Sequence, residues 1–165
     1  MQEFQYKLID DGTLCAASYE GDEAEVTVPA EIDGIPVTVL NDGLFQGHAE
    51  ITALQLPDCV TDMGEFLFDG CAGLRALRLP AKLERLWGYT FVRSALEELV
   101  FPDGVRSIPP FACKDCKNLR RVVCGAGMRE IHAWAFGGCD RLSELITGPD
   151  VKLSPQAFQS KQLNT

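Results

Sequence analysis

A repeat of 22 or 23 residues runs through most of this chain and limits the folds that it can adopt. Its most regular feature is an apolar anchor position, which recurs at spacings of 23, 23, 22, 23 and 22 residues. The six anchors are Phe45, Phe68, Phe91, Cys113, Phe136 and Phe158. One such unit cannot bury its own apolar side chains, whereas stacked copies align them into a continuous core. The repeat therefore predicts a solenoid.

Each repeat also contains two short segments that favour extended structure. The first is a mostly apolar triplet that is followed by a proline or glycine, which closes a strand. Five copies carry it, at residues 54–56, 77–79, 99–101, 122–124 and 145–147. The second is an apolar pair such as Val105 and Ile108. Stacking the triplets predicts a parallel sheet, and the anchor segments are too short for more than about one helical or 3₁₀ turn.

The order of residues in the repeat resembles the BspA-type leucine-rich repeat of bacterial proteins. An apolar pair is followed by an aromatic anchor, a Cys three residues later, a Leu and a short strand, as in residues 60–80 and 128–148. The resemblance covers residues 26–163. It implies a right-handed leucine-rich-repeat solenoid of the α/β class. The fold is expected to be β-rich, with a parallel sheet on one face and short helical or 3₁₀ turns opposite.

The resemblance also implies a function class. Known relatives are often large surface proteins that adhere to other proteins, so the expected role is noncatalytic binding of a protein partner. One departure from the family pattern is Cys113, which replaces the aromatic anchor, and Phe111 is expected to fill the space. In addition, the third and sixth copies are one residue short before the leucine, which is expected to shift local packing rather than the fold.

The organisation of the chain is predicted to be one domain. Residues 1–25 contain two alternating segments around a turn at Gly12, which predicts a β-hairpin that caps the first coil. Residues 26–165 form the predicted array of about six coils, each of 22–23 residues. At the C-terminal end, either the last half-coil caps the core or the edge is open to another chain.

The charge of the chain argues against a nucleic-acid partner. Fifteen basic and twenty-four acidic residues give a net charge of −9, which repels phosphate backbones. No apolar run approaches the roughly 18 residues that span a bilayer, so membrane insertion is not expected. The chain as given opens without a leader, which predicts a cytoplasmic protein. A cell-surface location is expected only for a module of a larger exported protein.

Charge is unevenly distributed along the array. Residues 1–74 carry one basic and fifteen acidic side chains, whereas residues 75–165 carry fourteen basic and nine acidic ones. Because position in the array corresponds to distance along the solenoid axis, one end is predicted to be acidic and the other mildly basic. Five basic residues are close in sequence: Lys114, Lys117, Arg120, Arg121 and Arg129. The basic C-terminal half is a candidate surface for an acidic partner or for head-to-tail contact between copies.

The residues that could carry chemistry favour packing over catalysis. Cys113 and Cys116 form a Cys-x-x-Cys pair, which elsewhere marks a thiol redox motif or half of a metal site. Both occupy repeat positions that face the core, where cysteine behaves as a small apolar residue. His48 and His132 lie in different coils, too far apart to share a proton. We therefore expect no enzyme, cofactor or metal, with a thiol-based redox or metal site at Cys113 and Cys116 as the alternative.

The outward positions of the triplets supply the candidate binding face. Alternate residues on a strand point to opposite faces of the sheet, so the middle residue of each triplet faces outward. The candidate residues are Arg78, Val100, Val123 and Ile146, with Glu98, Arg121 and Glu144 two positions before the last three. Stacked apolar residues with charged flanks are typical of an interaction surface. The sequence predicts that this face contacts a protein partner or a second copy of the chain.

Overall fold

The computed structural model describes residues 2–159, which form a β-solenoid of short strands and turns. Within that range the strands are β1 (Glu3–Leu8), β2 (Leu14–Glu20), β3 (Glu25–Thr27), β4 (Glu31–Ile32), β5 (Ile35–Leu40), β6 (Ala53–Gln55), β7 (Asp62–Met63), β8 (Arg85–Leu86), β9 (Glu98–Val100), β10 (Ser107–Ile108), β11 (Arg121–Val123), β12 (Glu130–Ile131), β13 (Glu144–Ile146) and β14 (Lys152–Leu153). The strands of successive coils pair in parallel, as the stacked repeats predict.

The triplet segments form one row of parallel strands, here called the front row. In this row β3 pairs with β6, and β9, β11 and β13 form a three-stranded sheet. Val122 lies opposite both Leu99 and Leu145 in the sheet. Leu99 and Val122 are fully buried, so the apolar positions of the triplets line the core while the residues between them face outward.

The front row is interrupted between β6 and β9. Residues 77–79, predicted as a strand, form none and pair with neither neighbour. The interruption precedes the third copy, which is one residue shorter between Ser94 and Leu96. A one-residue change in length shifts the register of the strand that follows. The short copy lies beside the break on its β9 side, and on the other side residues 77–79 also do not pair with β6.

A second row of parallel strands, here called the rear row, is formed by the apolar pairs. It contains β5, β7 and β8 in one sheet and β10, β12 and β14 in another. Four of these strands end on the second residue of a predicted apolar pair, namely Met63, Leu86, Ile108 and Ile131. The solenoid therefore carries parallel strands in two rows, rather than one sheet facing a layer of helical turns.

The rear row is also interrupted, between β8 and β10, and a proline explains the position. In other coils the residue after the strand donates its N–H to the preceding coil, as Trp87 does to Met63 O (3.2 Å) and His132 does to Ile108 O (3.0 Å). Pro109 occupies this position after β10 and has no N–H to donate. The parallel ladder cannot continue through it in the same way.

The predicted helical or 3₁₀ turns are not found, because residues 2–159 contain no helix. Five of the six anchor segments contain a residue in the left-handed region two positions before the anchor, such as Tyr89 (φ 62°) and Trp134 (φ 63°), which ends any helical run. The anchor N–H groups bond to the next coil, as Phe91 N does to Ala112 O (2.8 Å). The helical part of the predicted α/β class is therefore not confirmed, and the described segments are turns held by their neighbours.

Stacked phenylalanines form the centre of the core. Phe68 lies between Phe45 and Phe91, with ring centroids 6.3 and 5.4 Å apart and planes within 14° of parallel. The stack stops at Cys113, where Phe101 instead meets Phe91 edge-on at 6.3 Å. The expectation that Phe111 fills this space is wrong, since Phe111 stacks on Tyr89 and is only half-buried.

The two ends of the core differ. At the N-terminal end β1 and β2 form an antiparallel hairpin, β2 pairs with β5, and Tyr19 packs on Phe45 at 5.5 Å. Near the other end Leu153 and Phe158 are 43% and 48% exposed. The predicted last repeat positions, Lys161 and Leu163, lie outside the described residues, and the domain boundary after residue 25 stays a prediction.

Replacement of one stacked anchor should destabilise the solenoid strongly. We expect Phe91→Ala to lower the free energy of unfolding by about 3–5 kcal/mol, because the ring is fully buried between coils. Phe158→Ala, at the same repeat position but half exposed, should cost less than about 1.5 kcal/mol. Urea unfolding followed by circular dichroism measures both values. Equal decreases in the free energy of unfolding for the two variants would contradict the conclusion that the stacked phenylalanines stabilise the core.

Candidate functional site

The predicted face is formed by three adjacent front strands. β9, β11 and β13 place Val123 opposite Val100 on one side and Ile146 on the other. Val100 and Ile146 are 49% and 45% exposed, and Val123 between them is half-buried. We call Val100, Val123 and Ile146 the apolar stripe. The side chains are held at the strand spacing by the backbone ladder, so the stripe is a fixed surface.

A charged row runs beside the apolar stripe. Arg121 lies between two carboxylates, donating from Nη1 to Glu98 (3.3 Å) and from Nε to Glu144 (3.0 Å). These groups are 41–59% exposed, so their mutual attraction adds little to stability. Their effect is to fix the orientation of three charged groups along one edge of the stripe.

Arg78 does not continue the face as predicted. It belongs to residues 77–79, which form no strand, and its guanidinium bonds to Asp58 (3.0 Å). Arg78 therefore lies at the interruption of the front row, apart from the six residues that β9, β11 and β13 bring together.

The Cys113 and Cys116 thiols are part of the core. Both are fully buried, and burial raises the pKa of the Cys113 thiol well above its usual value. Cys116 Sγ donates to Phe91 O (2.9 Å), and Cys139 Sγ donates to Cys113 O (2.9 Å). Cys116 and Cys139 thus each add a hydrogen bond to an anchor carbonyl of the preceding coil, as Cys71 Sγ does to Phe45 O (3.1 Å). The geometry is that of packing residues with a hydrogen-bonding role.

The structure offers no support for a metal at these thiols. Among residues 2–159 no group of three or more His, Cys, Asp or Glu side chains is arranged to hold a metal ion. The ladder of Cys71, Cys116 and Cys139 follows the repeat, with Ser94 in the coil between the first two, and its sulfur atoms are directed at main-chain carbonyls.

The basic half of the chain carries its charge mostly in ion pairs between coils. Arg120 pairs with Glu97 (3.1 Å), and Lys117 pairs with Asp140 (3.0 Å). In the middle of the array the Arg93 guanidinium contacts Asp69 at 2.7 Å and holds the pKa of that carboxyl below its usual range. Basic residues are concentrated in the C-terminal half of the chain, as the sequence indicates. Acidic residues of neighbouring coils pair with several of them, so this half does not present a purely basic surface.

The sequence reasoning missed a second aromatic ladder. Phe66, Tyr89, Phe111 and Trp134 stack with ring centroids 5.0, 5.1 and 5.4 Å apart, and all are half-buried. Each lies two residues before its anchor, a regularity that the sequence contains. Because the rings face one another, the ladder presents ring edges to solvent rather than a flat platform.

The fold and its outward face define a leucine-rich-repeat β-solenoid, a class of protein that presents an extended surface from stacked units. The profile of the BspA type Leucine rich repeat region matches six copies within residues 38–164. The chain belongs to this family.

Solved structures of bacterial leucine-rich repeat proteins share the fold. The T. pallidum leucine-rich repeat protein is 25% identical, with a TM-score of 0.76 over 91% of this chain and 82% of that one. A leucine-rich cell surface protein of Faecalibacterium prausnitzii A2-165 is 21% identical, with a TM-score of 0.61 over 87% of this chain and 53% of that one. A leucine-rich repeat protein of Bacteroides ovatus ATCC 8483 is 21% identical, with a TM-score of 0.65 over 86% of this chain and 45% of that one.

This chain spans about half the length of the last two relatives. At 21% identity their likeness to it shows the fold alone. No match is found among curated proteins. Nothing in residues 2–159 forms a helix that could cross a bilayer.

Thiol labelling distinguishes the packing role of Cys113 and Cys116 from a reactive one. In the folded protein we expect both to resist Ellman's reagent and iodoacetamide, because no solvent reaches them. Half-buried Cys59 and Cys124 serve as internal controls and should label first. Peptide mass spectrometry assigns each site, and denaturant should release all seven thiols. Fast labelling of Cys113 and Cys116 without denaturant would contradict the packing role and support a thiol-based site.

Proposed function

We propose that this protein is a noncatalytic binding module that holds a protein partner against its front face. The binding surface consists of the apolar stripe and the charged row of Glu98, Arg121 and Glu144. The observation that carries the proposal is the exposure of β-branched side chains side by side in one sheet, 49% at Val100 and 45% at Ile146.

A stripe of this kind suits binding because it is rigid before the partner arrives. Val and Ile have few rotamers to lose, and the parallel ladder fixes their backbone. Preorganisation lowers the entropy cost of association, so more of the gain from apolar burial remains as affinity. The charged row then favours a partner with complementary charge and disfavours others.

The overall charge favours a separate protein over a second copy of this chain. Two copies, each with a net charge of −9, repel one another as they approach. A head-to-tail contact would need strong opposite patches, whereas many basic groups of the C-terminal half are already paired. A heterologous partner that is neutral or basic overall meets neither obstacle.

The cellular setting of the module is a separate question from its binding face. The F. prausnitzii relative is described as a cell surface protein, which supports a surface setting for this chain as a module of a larger exported protein. The cytoplasmic location stays a prediction. The front face would bind a partner in the same way in either setting.

Val123→Glu tests the proposed face. It buries a charge at the centre of any interface on the stripe, so we expect at least a tenfold loss of partner affinity with the fold unchanged. The matched control is Ser107→Glu, an exposed position on rear strand β10. A photo-crosslinking residue at position 123, and another at 107, identifies the partner in cells that produce the protein. Affinity for the purified partner is then measured by calorimetry.

Light scattering after size exclusion, at low and moderate salt, separates the two kinds of partner. We expect a monomer for the wild type and for both variants. A wild-type dimer that Val123→Glu dissociates would replace the heterologous partner with a second copy. Crosslinks of equal yield from positions 107 and 123, or equal affinity of Val123→Glu and wild type, would contradict the proposed face.

A further inference from the structure

An exposed tryptophan lies where the rear row is interrupted. Trp87 directly follows β8 and is 54% exposed, more than any other aromatic residue among residues 2–159. The half-buried rings of the aromatic ladder stack on one another, as Tyr89 does on Phe111 at 5.1 Å, whereas Trp87 makes no ring contact in this part of the chain. More than half of its surface is therefore open to a ligand.

A groove of about 470 Å³ lies beside Trp87, within the roughly 300–1,000 Å³ that is typical of small-molecule sites. Residues 84–87 form one wall, and the other wall belongs to the next coil and consists of Gly104, Arg106 and Ser107. A Cβ atom at Gly104 would lie only 2.8 Å from Leu83 O, so the two coils pack closely next to the groove. The groove is therefore a depression between packed coils and not an open sheet edge.

The polar side chains of the groove have no protein partners in the described part of the chain. Within residues 2–159, Arg85 and Arg106 form no ion pair or side-chain hydrogen bond, and the Glu84 carboxylate and the Ser107 hydroxyl form none either. Most other arginines differ, because their guanidiniums contact carboxylates of other coils, as in Arg78, Arg93, Arg120 and Arg121. The groove thus places available donors and an available acceptor beside an exposed indole.

The charges around the groove are mixed in sign. Strand pairing places Asp62 beside Arg85 and Glu130 beside Ser107, and Glu84 is part of the groove wall. The whole chain carries a net charge of −9, so an anionic ligand gains little from the two arginines. A neutral ligand with hydroxyl groups can instead accept hydrogen bonds from the guanidiniums and donate one to the carboxylate.

We propose that this groove binds a neutral pyranose sugar within an oligosaccharide. One face of the sugar ring, whose C–H groups carry partial positive charge, packs on the negative face of the Trp87 indole. Sugar hydroxyl oxygens accept hydrogen bonds from Arg85 and Arg106, and a sugar hydroxyl donates to the Glu84 carboxylate. The inference goes beyond the proposed function, because the groove lies on the rear row and needs no residue of the apolar stripe.

A neutral sugar fits the groove better than other small ligands. A purely apolar molecule would cover Trp87 but would remove water from the charged groups without replacing their hydrogen bonds. A small anion such as phosphate would meet the Glu84 carboxylate and would leave the indole unused. A pyranose ring has an apolar face and a rim of hydroxyls, so it matches an aromatic surface that is surrounded by a few polar groups.

Intrinsic fluorescence tests the site on the full chain when Trp87 is the only indole. Trp134→Phe removes the other of the two tryptophans, and phenylalanine already occupies the ladder at positions 66 and 111. The probes are cellotriose, maltotriose and mannotriose, with sorbitol as a polyol that lacks a ring face and trigalacturonate as a charged counterpart. We expect at least one neutral trisaccharide to change the Trp87 emission saturably at millimolar concentration, and sorbitol and trigalacturonate to bind at least tenfold more weakly.

Point variants locate the binding on the protein, with affinity for the same trisaccharide measured by calorimetry. Trp87→Ala should weaken binding at least tenfold, and Arg106→Ala at least threefold. The matched control is Arg141→Ala, because Arg141 is exposed, has no ion pair within residues 2–159 and lies outside the groove, so this change should alter affinity less than twofold. Circular dichroism checks that each variant is folded. In amide NMR spectra of the wild type the sugar should shift residues 84–88 and 104–107.

The proposal is overturned if none of the three neutral trisaccharides changes the Trp87 emission saturably, or if sorbitol or trigalacturonate binds equally well. It is also overturned if Trp87→Ala keeps full affinity or if the shifted amides lie elsewhere. Val123→Glu separates this site from the proposed function, because it should retain sugar binding. A protein that binds the sugar but shows no effect of Val123→Glu on its partner would keep the groove and lose the stripe.

Discussion

The structure depends on hydrogen bonds and apolar contacts between coils, because no coil is stable alone. Phe91 N bonds to Ala112 O in the next coil, and the Phe91 ring stacks on Phe68 in the previous one. A segment of about 22 residues that lacks these neighbours would expose both its backbone and its leucines. Stacking is therefore the condition for every local structure in the chain, including the turns that replace the expected helical segments.

The same constraint determines where surfaces for binding arise. When coils repeat in register, equivalent outward residues align, which produces the apolar stripe of Val100, Val123 and Ile146 and the half-buried aromatic ladder. Where the repeat changes, the rows of strands are interrupted. One missing residue after Ser94 accompanies the front interruption, and Pro109 accompanies the rear one. Regularity thus creates the extended face, and changes in the repeat coincide with its interruptions.

The cysteines show how a repeat changes the meaning of a short motif. Cys113 and Cys116 resemble a redox pair in isolation, yet each occupies its own repeat position in the core. The buried sulfur of Cys116 donates a second hydrogen bond to the Phe91 carbonyl of the preceding coil, which also accepts from Ser94 N, and a purely apolar side chain could not do this. Burial also raises the pKa of the Cys71 thiol to about 12, which keeps it protonated and suited to donating.

The period of 22 or 23 residues was enough to predict the solenoid, most of the parallel front strands, the five buried anchors from Phe45 to Phe136 and the outward position of Val100 and Ile146, because each follows from stacking identical units. The sequence could not show that residues 77–79 leave the sheet, since their own pattern matches the other triplets. Nor could it show that Phe111 belongs to the outer ladder, because left-handed backbone geometry directs that ring. Only the tertiary structure decided these points, since each depends on how neighbouring coils align rather than on the residues of a single repeat.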